Sequence, residues 1–185
     1  MRIKSAKQAY TLLHSGIVPA SGYTPKVQSG GKNSAVDELM WELAIVTSPC
    51  KQIDELPREL AEYIYTENPK EERLYYLKSK ICTAVDDYSL SFIKNNTVEK
   101  YWKITRLNQM TVEDFRETER CGRRLHNKSF YYLSIGIDDS NYYKLWRKKV
   151  DEVNNYLDCL LRRANSPVDE KIEELRDRES LDKTG

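Results

Sequence analysis

Cys121 and His126 come nearest in this sequence to a nucleophile beside a base, yet they lie five residues apart. On a helix that spacing aims the two side chains poorly at each other, and no glycine turn that could form an oxyanion site is nearby. The adjacent acids Asp86 and Asp87, and likewise Asp138 and Asp139, point about 100° apart on a helix and do not converge on one substrate atom. Cys50, Cys82, Cys121 and Cys159 show no CxxC spacing, and only His14 and His126 could add imidazole, so neither zinc nor any other cofactor is expected. An enzyme is the least favoured class.

Side chains suited to recognition are concentrated elsewhere. From Arg116 to Lys149 nine basic residues stand against four acidic ones, a local charge of +5 in a chain whose total is +1. After Pro167 the sign reverses, to −3. Such asymmetry speaks of partners rather than of fold. Within the basic stretch Ser140, Asn141, Tyr143, Lys144, Arg147 and Lys148 fall on the outer face of one predicted helix, with Arg123, Arg124 and Lys128 ahead of it. Asn can pair with adenine, Arg with guanine or phosphate, and Lys with phosphate, so the chemistry is that of duplex DNA binding.

The element that must position these residues is a helix-turn-helix between Lys128 and Arg147, KSFYYLSIGIDDSNYYKLWR. Tyr131, Ile135, Ile137, Tyr142 and Leu145 fall where two short helices must touch, Gly136 supplies the turn, and Asp138 or Asp139 caps the second helix. Tyr132 stands where a small residue is usual, so the helices splay around its ring or the motif is absent. Trp146, Val150, Val153, Leu157, Leu160 and Ala164 alternate steps of four and three, which predicts one helix from Asp139 to Ala164, roughly 39 Å long at the usual rise. Its beginning would read DNA, and its remainder would pack in a bundle or against a second copy of the chain. A plain helical hairpin with a solvated basic face fits the same spacing.

The rest of the sequence reads as helix without strand alternation, giving an all-α class: a helical bundle with a C-terminal helix-turn-helix and a long final core or dimerisation helix. Residues 1–33 comprise a helix from Ile3 to His14, stopped by Gly16, and a flexible arm rich in Gly, Pro and Ser. Residues 34–110 form the bundle region. There Ser34 caps a helix bearing Val36, Leu39, Met40, Leu43 and Val46, closed by Pro49, and Pro57 opens another that fades before Pro69. Leu74, Leu77, Ile81, Ala84 and Tyr88 mark a seam over about 70–94, Asn95 and Asn96 break it, and a helix over 98–107 follows. Residues 111–164 open with Thr111 as an N-cap and carry the DNA unit. Residues 165–185 form an acidic tail in which Ser166 and Pro167 open a short, weakly docked helix with Val168, Ile172 and Leu175 as its thin apolar stripe. No apolar run approaches a membrane span and no signal peptide is legible, so a reducing cytoplasm with free thiols is expected.

The run IGIDDSNYYKLWRKKVDEVNNYLDCLL, from Ile135 to Leu161, resembles the C-terminal end of phage-borne transcription regulators, the lambdoid antitermination proteins and sigma-like late-gene activators. The resemblance covers this run, 27 of the chain's 185 residues. It implies a helix-turn-helix followed directly by a longer amphipathic helix, with Asn141, Lys144 and Arg147 at a promoter-proximal DNA site while the protein engages RNA polymerase. Small terminase subunits of phages combine the same parts. The rival from another class is a protein-binding module, such as a phage or viral inhibitor of a host enzyme, for which the abundance of Tyr (13, against 3 Phe) speaks, since Tyr and Arg are enriched at interface hot spots.

Overall fold

A computed structural model of the chain describes residues 2–15, 35–67, 69–92 and 97–182. Gly16, the arm over 17–33, the Ser34 cap and the Asn95–Asn96 break lie outside the described residues. Among those described every regular element is a helix, and none is long and apolar enough to cross a membrane. The chain divides into two compact units, Met1–Pro69 with Leu161–Gly185, and Lys70–Leu160.

In the first unit, α1 (Ala6–His14) starts three residues later than the apolar pattern suggests, because Ser5 caps it by accepting the Gln8 N–H. Ile3 is fully buried all the same. α2 (Ala35–Val46) buries Met40, Leu43 and Val46, and Pro49 opens a 3-10 turn over Ser48–Gln52. α3 (Glu55–Tyr65) begins two residues before Pro57, which sits buried in its first turn. The last part of the long helix α8 (Arg147–Asp182) completes the unit.

The acidic tail is not a separate helix. α8 passes through Ser166 and Pro167 without interruption, and Val168 and Ile172 are fully buried rather than weakly docked. Polar contacts fix this stretch from several sides. The Tyr10 hydroxyl donates to the Ala164 carbonyl at 3.1 Å, the Ala6 N–H donates to Asp169 at 2.7 Å, and Arg163 pairs with Asp54. An interior proline forfeits one helical hydrogen bond and crowds the carbonyl four residues back, a penalty that burial of this apolar stripe outweighs.

In the second unit, α4 (Glu71–Ser91) and α5 (Val98–Cys121) form an antiparallel pair. Late α4 meets early α5, where Asp86 accepts from the buried Asn108 amide at 2.7 Å, and earlier α4 meets later α5 through Lys78 and Glu113 at 2.5 Å. The buried seam of α4 runs Leu77, Ile81 and Val85 at strict steps of four, so Leu74, Ala84 and Tyr88 are only half-buried.

α5 also corrects an expectation. It is one helix of 24 residues, Thr111 lies buried in its middle, and the boundary drawn at 110/111 falls inside it. The Thr111 hydroxyl donates back to the Leu107 carbonyl at 2.8 Å, the alternative to capping that a threonine has when apolar neighbours continue on both sides. The helix starts at Thr97, whose side chain accepts the Lys100 N–H, and it stops at Gly122 in the left-handed region, φ 71°.

Candidate nucleic-acid interface

The basic segment lies wholly in the second unit, and its foundation is a buried carboxylate. Asp114 of α5 accepts the His126 backbone N–H at 2.7 Å with one oxygen and the Tyr131 hydroxyl at 2.7 Å with the other. Both ends of the connection from α5 to α6 (Lys128–Ser134) are thereby tied to one side chain. Burial and this bond push the Tyr131 hydroxyl pKa up.

The His126 ring stands 2.9 Å from Glu113 and stacks on Phe130 with 4.7 Å between ring centres. Burial alone would raise the Glu113 carboxyl, but hydrogen bonds from Lys78 and His126 outweigh it and hold that group below its ordinary value. His126 lies in the connection ahead of α6. Asn127 beside it begins α6, its side chain accepting the Phe130 N–H at 2.9 Å.

α6 closes in a Schellman arrangement. Gly136, at φ 66°, donates its N–H to Leu133, and Ile137 donates to Tyr132, both at 3.1 Å. Asp138, extended at φ −80° and ψ 161°, then caps the next helix by accepting the Asn141 N–H at 2.9 Å. That backbone hydrogen bond holds the Asp138 carboxyl below the usual range. A short α7 (Asp139–Asn141) leads into a π-helical turn over Tyr142–Trp146, closed by the Arg147 N–H donating to the Tyr142 carbonyl, and α8 continues from Arg147.

The π turn decides which side chains face inward. An i→i+5 turn holds one residue more than an α turn, so the helix phase shifts there. Tyr142, Trp146 and Val150, at steps of four, meet Leu107, Met110, Tyr131 and Ile135. The Tyr132 ring finds room, tilted 53° to Tyr142 with 6.3 Å between centres, and Ile137 joins it against the same cluster. Leu145, expected at the helix–helix contact, is instead 62% exposed. Beyond the turn the expected seam is buried throughout: Val150, Val153, Leu157, Leu160 and Ala164.

All nine basic and polar residues assigned to DNA from the sequence are exposed: Arg123, Arg124, Lys128, Ser140, Asn141, Tyr143, Lys144, Arg147 and Lys148. They are not equally free. The Asn141 amide donates to Asp138 and is held against the cap. Arg147 lies over the Tyr143 ring at 5.5 Å and 3.9 Å from Asp151, and Lys148 is 3.8 Å from Glu152. Exposed pairs of this kind contribute about 0–1 kcal/mol, little enough for a phosphate to displace the carboxylate.

Arg124 also borders an open cleft of about 440 Å³ whose acidic lining includes Asp114, Glu119, Asp151 and Asp158. An anion is disfavoured there, so the cationic face is limited on that side. Among the described residues no group of three or more His, Cys, Asp or Glu side chains is placed to hold a metal ion.

Reasoning from the sequence missed Asp114, the π turn and the exposure of Leu145. An acidic residue two-thirds of the way along a helix carries no local mark of burial, and a π turn has no compositional signature. Comparison with protein-family models, with curated proteins and with solved structures finds no match to this chain.

Proposed function

We propose that this protein binds duplex DNA through the unit formed by α6, the Gly136 turn and the start of the helix beyond Asp138, and that it regulates transcription. One observation carries the reading: Lys144, Arg147 and Lys148 are exposed on the first turns of a capped helix whose inner side is packed on α5, and Arg123, Arg124 and Lys128 are exposed in the same unit. Phosphates bind such cations with release of counterions, while Ser140, Asn141 and Tyr143 beside them offer contacts to base edges. The resemblance of Ile135–Leu161 to phage regulators implies a cytoplasmic site beside a promoter, with RNA polymerase as protein partner. Small terminase subunits offer the same parts with a different role.

The test is a gel shift of the full chain on random duplex DNA across a salt series, followed by selection of a preferred site. Affinity that falls linearly on a log–log plot against salt supports the reading. No shift at low salt refutes it.

A second reading is favoured by α6 itself. Phe130 and Leu133 lie one turn apart and are exposed, Leu133 to 68%, and Leu125 is exposed just before them. Apolar groups in that arrangement suit a protein partner, whose hold would depend weakly on salt.

A further inference from the structure

The exposed leucine of the π turn has neighbours that suggest what it touches. Advancing along the helix from the inward Tyr142, Lys144 and Lys148 point away from the core, Tyr143 and Arg147 share one flank, and Asn141 and Leu145 share the other. The stacking of Arg147 over Tyr143 agrees with that arrangement. Leu145 is thus a branched apolar knob one turn beyond the helix start, beside two outward lysines.

In the major groove the apolar feature a base edge presents is the 5-methyl group of thymine, and apolar side chains read it by contact. Readout by hydrogen bond from the same flank is narrowed in direction, because one N–H of the Asn141 amide donates to Asp138 and fixes the side chain, leaving its second N–H and its carbonyl for a base edge. Lys144 and Lys148 supply the charge complementarity that would bring a duplex against this face.

We propose that Leu145 is a specificity-determining residue that seats on a thymine methyl group in the major groove of the bound duplex. The inference rests on the DNA-binding reading, and it deepens that reading by assigning sequence preference to a side chain that carries no polar group. It also accounts for a leucine held out of a core that has room for Tyr142 and Trp146 on either side of it.

Deoxyuridine tests this directly, since it removes the methyl group and leaves pairing and phosphate charge unchanged. A duplex selected by the full chain from a random library is remade with each thymine replaced singly by deoxyuridine, and affinities are read by fluorescence anisotropy. One replacement is expected to weaken binding about fourfold, the worth of one buried methyl-sized group. Leu145→Ala, at an exposed position where folding is not at stake, is expected to bind the thymine and deoxyuridine forms of that site equally. Lys148→Ala should weaken both forms and keep their ratio. The proposal is overturned if no thymine matters, or if Leu145→Ala retains the discrimination. Binding of random duplex with no thymine effect sinks this inference alone, whereas failure of the parent to bind any duplex sinks the DNA reading with it.

Discussion

The Tyr131 hydroxyl donates a 2.7 Å hydrogen bond to Asp114, a carboxylate with 4% of its surface exposed whose other oxygen accepts the His126 N–H. Removing the hydroxyl leaves one oxygen of this buried carboxylate without its partner, and hydrogen bonds to carboxylates are worth about 1.5–3 kcal/mol. Tyr131→Phe should therefore lower unfolding stability by about 2 kcal/mol in urea titration. A loss under about 0.5 kcal/mol would mean that Asp114 does not anchor α6.

Arg147 and Lys148 are exposed and contribute little to the fold, so Arg147→Ala with Lys148→Ala should leave the circular dichroism spectrum and melting unchanged. If both meet phosphate, DNA affinity falls and the salt slope flattens by about two, one counterion for each contact. Unchanged affinity would remove this helix from the interface.

Leu157 is fully buried in the middle of the α8 seam, and its neighbour Tyr156 stacks on Tyr88 of α4 with 4.2 Å between ring centres. Truncation in a filled core costs about 2–5 kcal/mol, so Leu157→Ala should take most of an ordinary domain's margin. Melting like the parent would contradict the packing of this helix.

What was legible in the sequence followed from periodicity. The seam from Val150 to Ala164 recurs over four turns and appears as expected, because burial of one stripe dominates a long helix. Thr111 and Pro167 misled for a shared reason. Each favours a helix start when its surroundings are free, and each lies instead within a helix whose apolar face continues on both sides. Tertiary burial outweighs such local preferences of about 1–3 kcal/mol. At the candidate site the residue types and their exposure were readable, but the phase of Leu145 was not, because it depends on one extra residue in a turn that no residue type announces.

Acidification should loosen the α5–α6 junction. Glu113 is held below its ordinary value of 4.5 in the folded protein. Its contribution is complete above that value and is lost as pH falls through the lower, folded one. Asp86 acts in the opposite sense, since burial raises its carboxyl and protonation there relieves a cost. Melting temperature followed from pH 7 to 3 should thus fall less steeply for Glu113→Gln than for the parent. An equal or steeper fall in the variant would contradict the role of the Lys78–Glu113–His126 contacts.

Pro167 gives the clearest test of the long helix. It lies within α8, next to the fully buried Val168, and it has no N–H to donate to the carbonyl of Arg163 one turn back. Pro167→Ala restores that donor and relieves the crowding of the ring against the carbonyl, a gain of up to about 3 kcal/mol. Against it stands the greater freedom of the unfolded chain, about 0.4–1 kcal/mol. The net effect should be stabilising by about 1–2 kcal/mol, with a higher melting temperature and more helix by circular dichroism. If Ser166 and Pro167 instead opened a separate helix, the proline would occupy a first-turn position where its missing N–H costs nothing and its fixed φ helps. Pro167→Ala would then leave stability unchanged or lower it, and that outcome would break α8 into two.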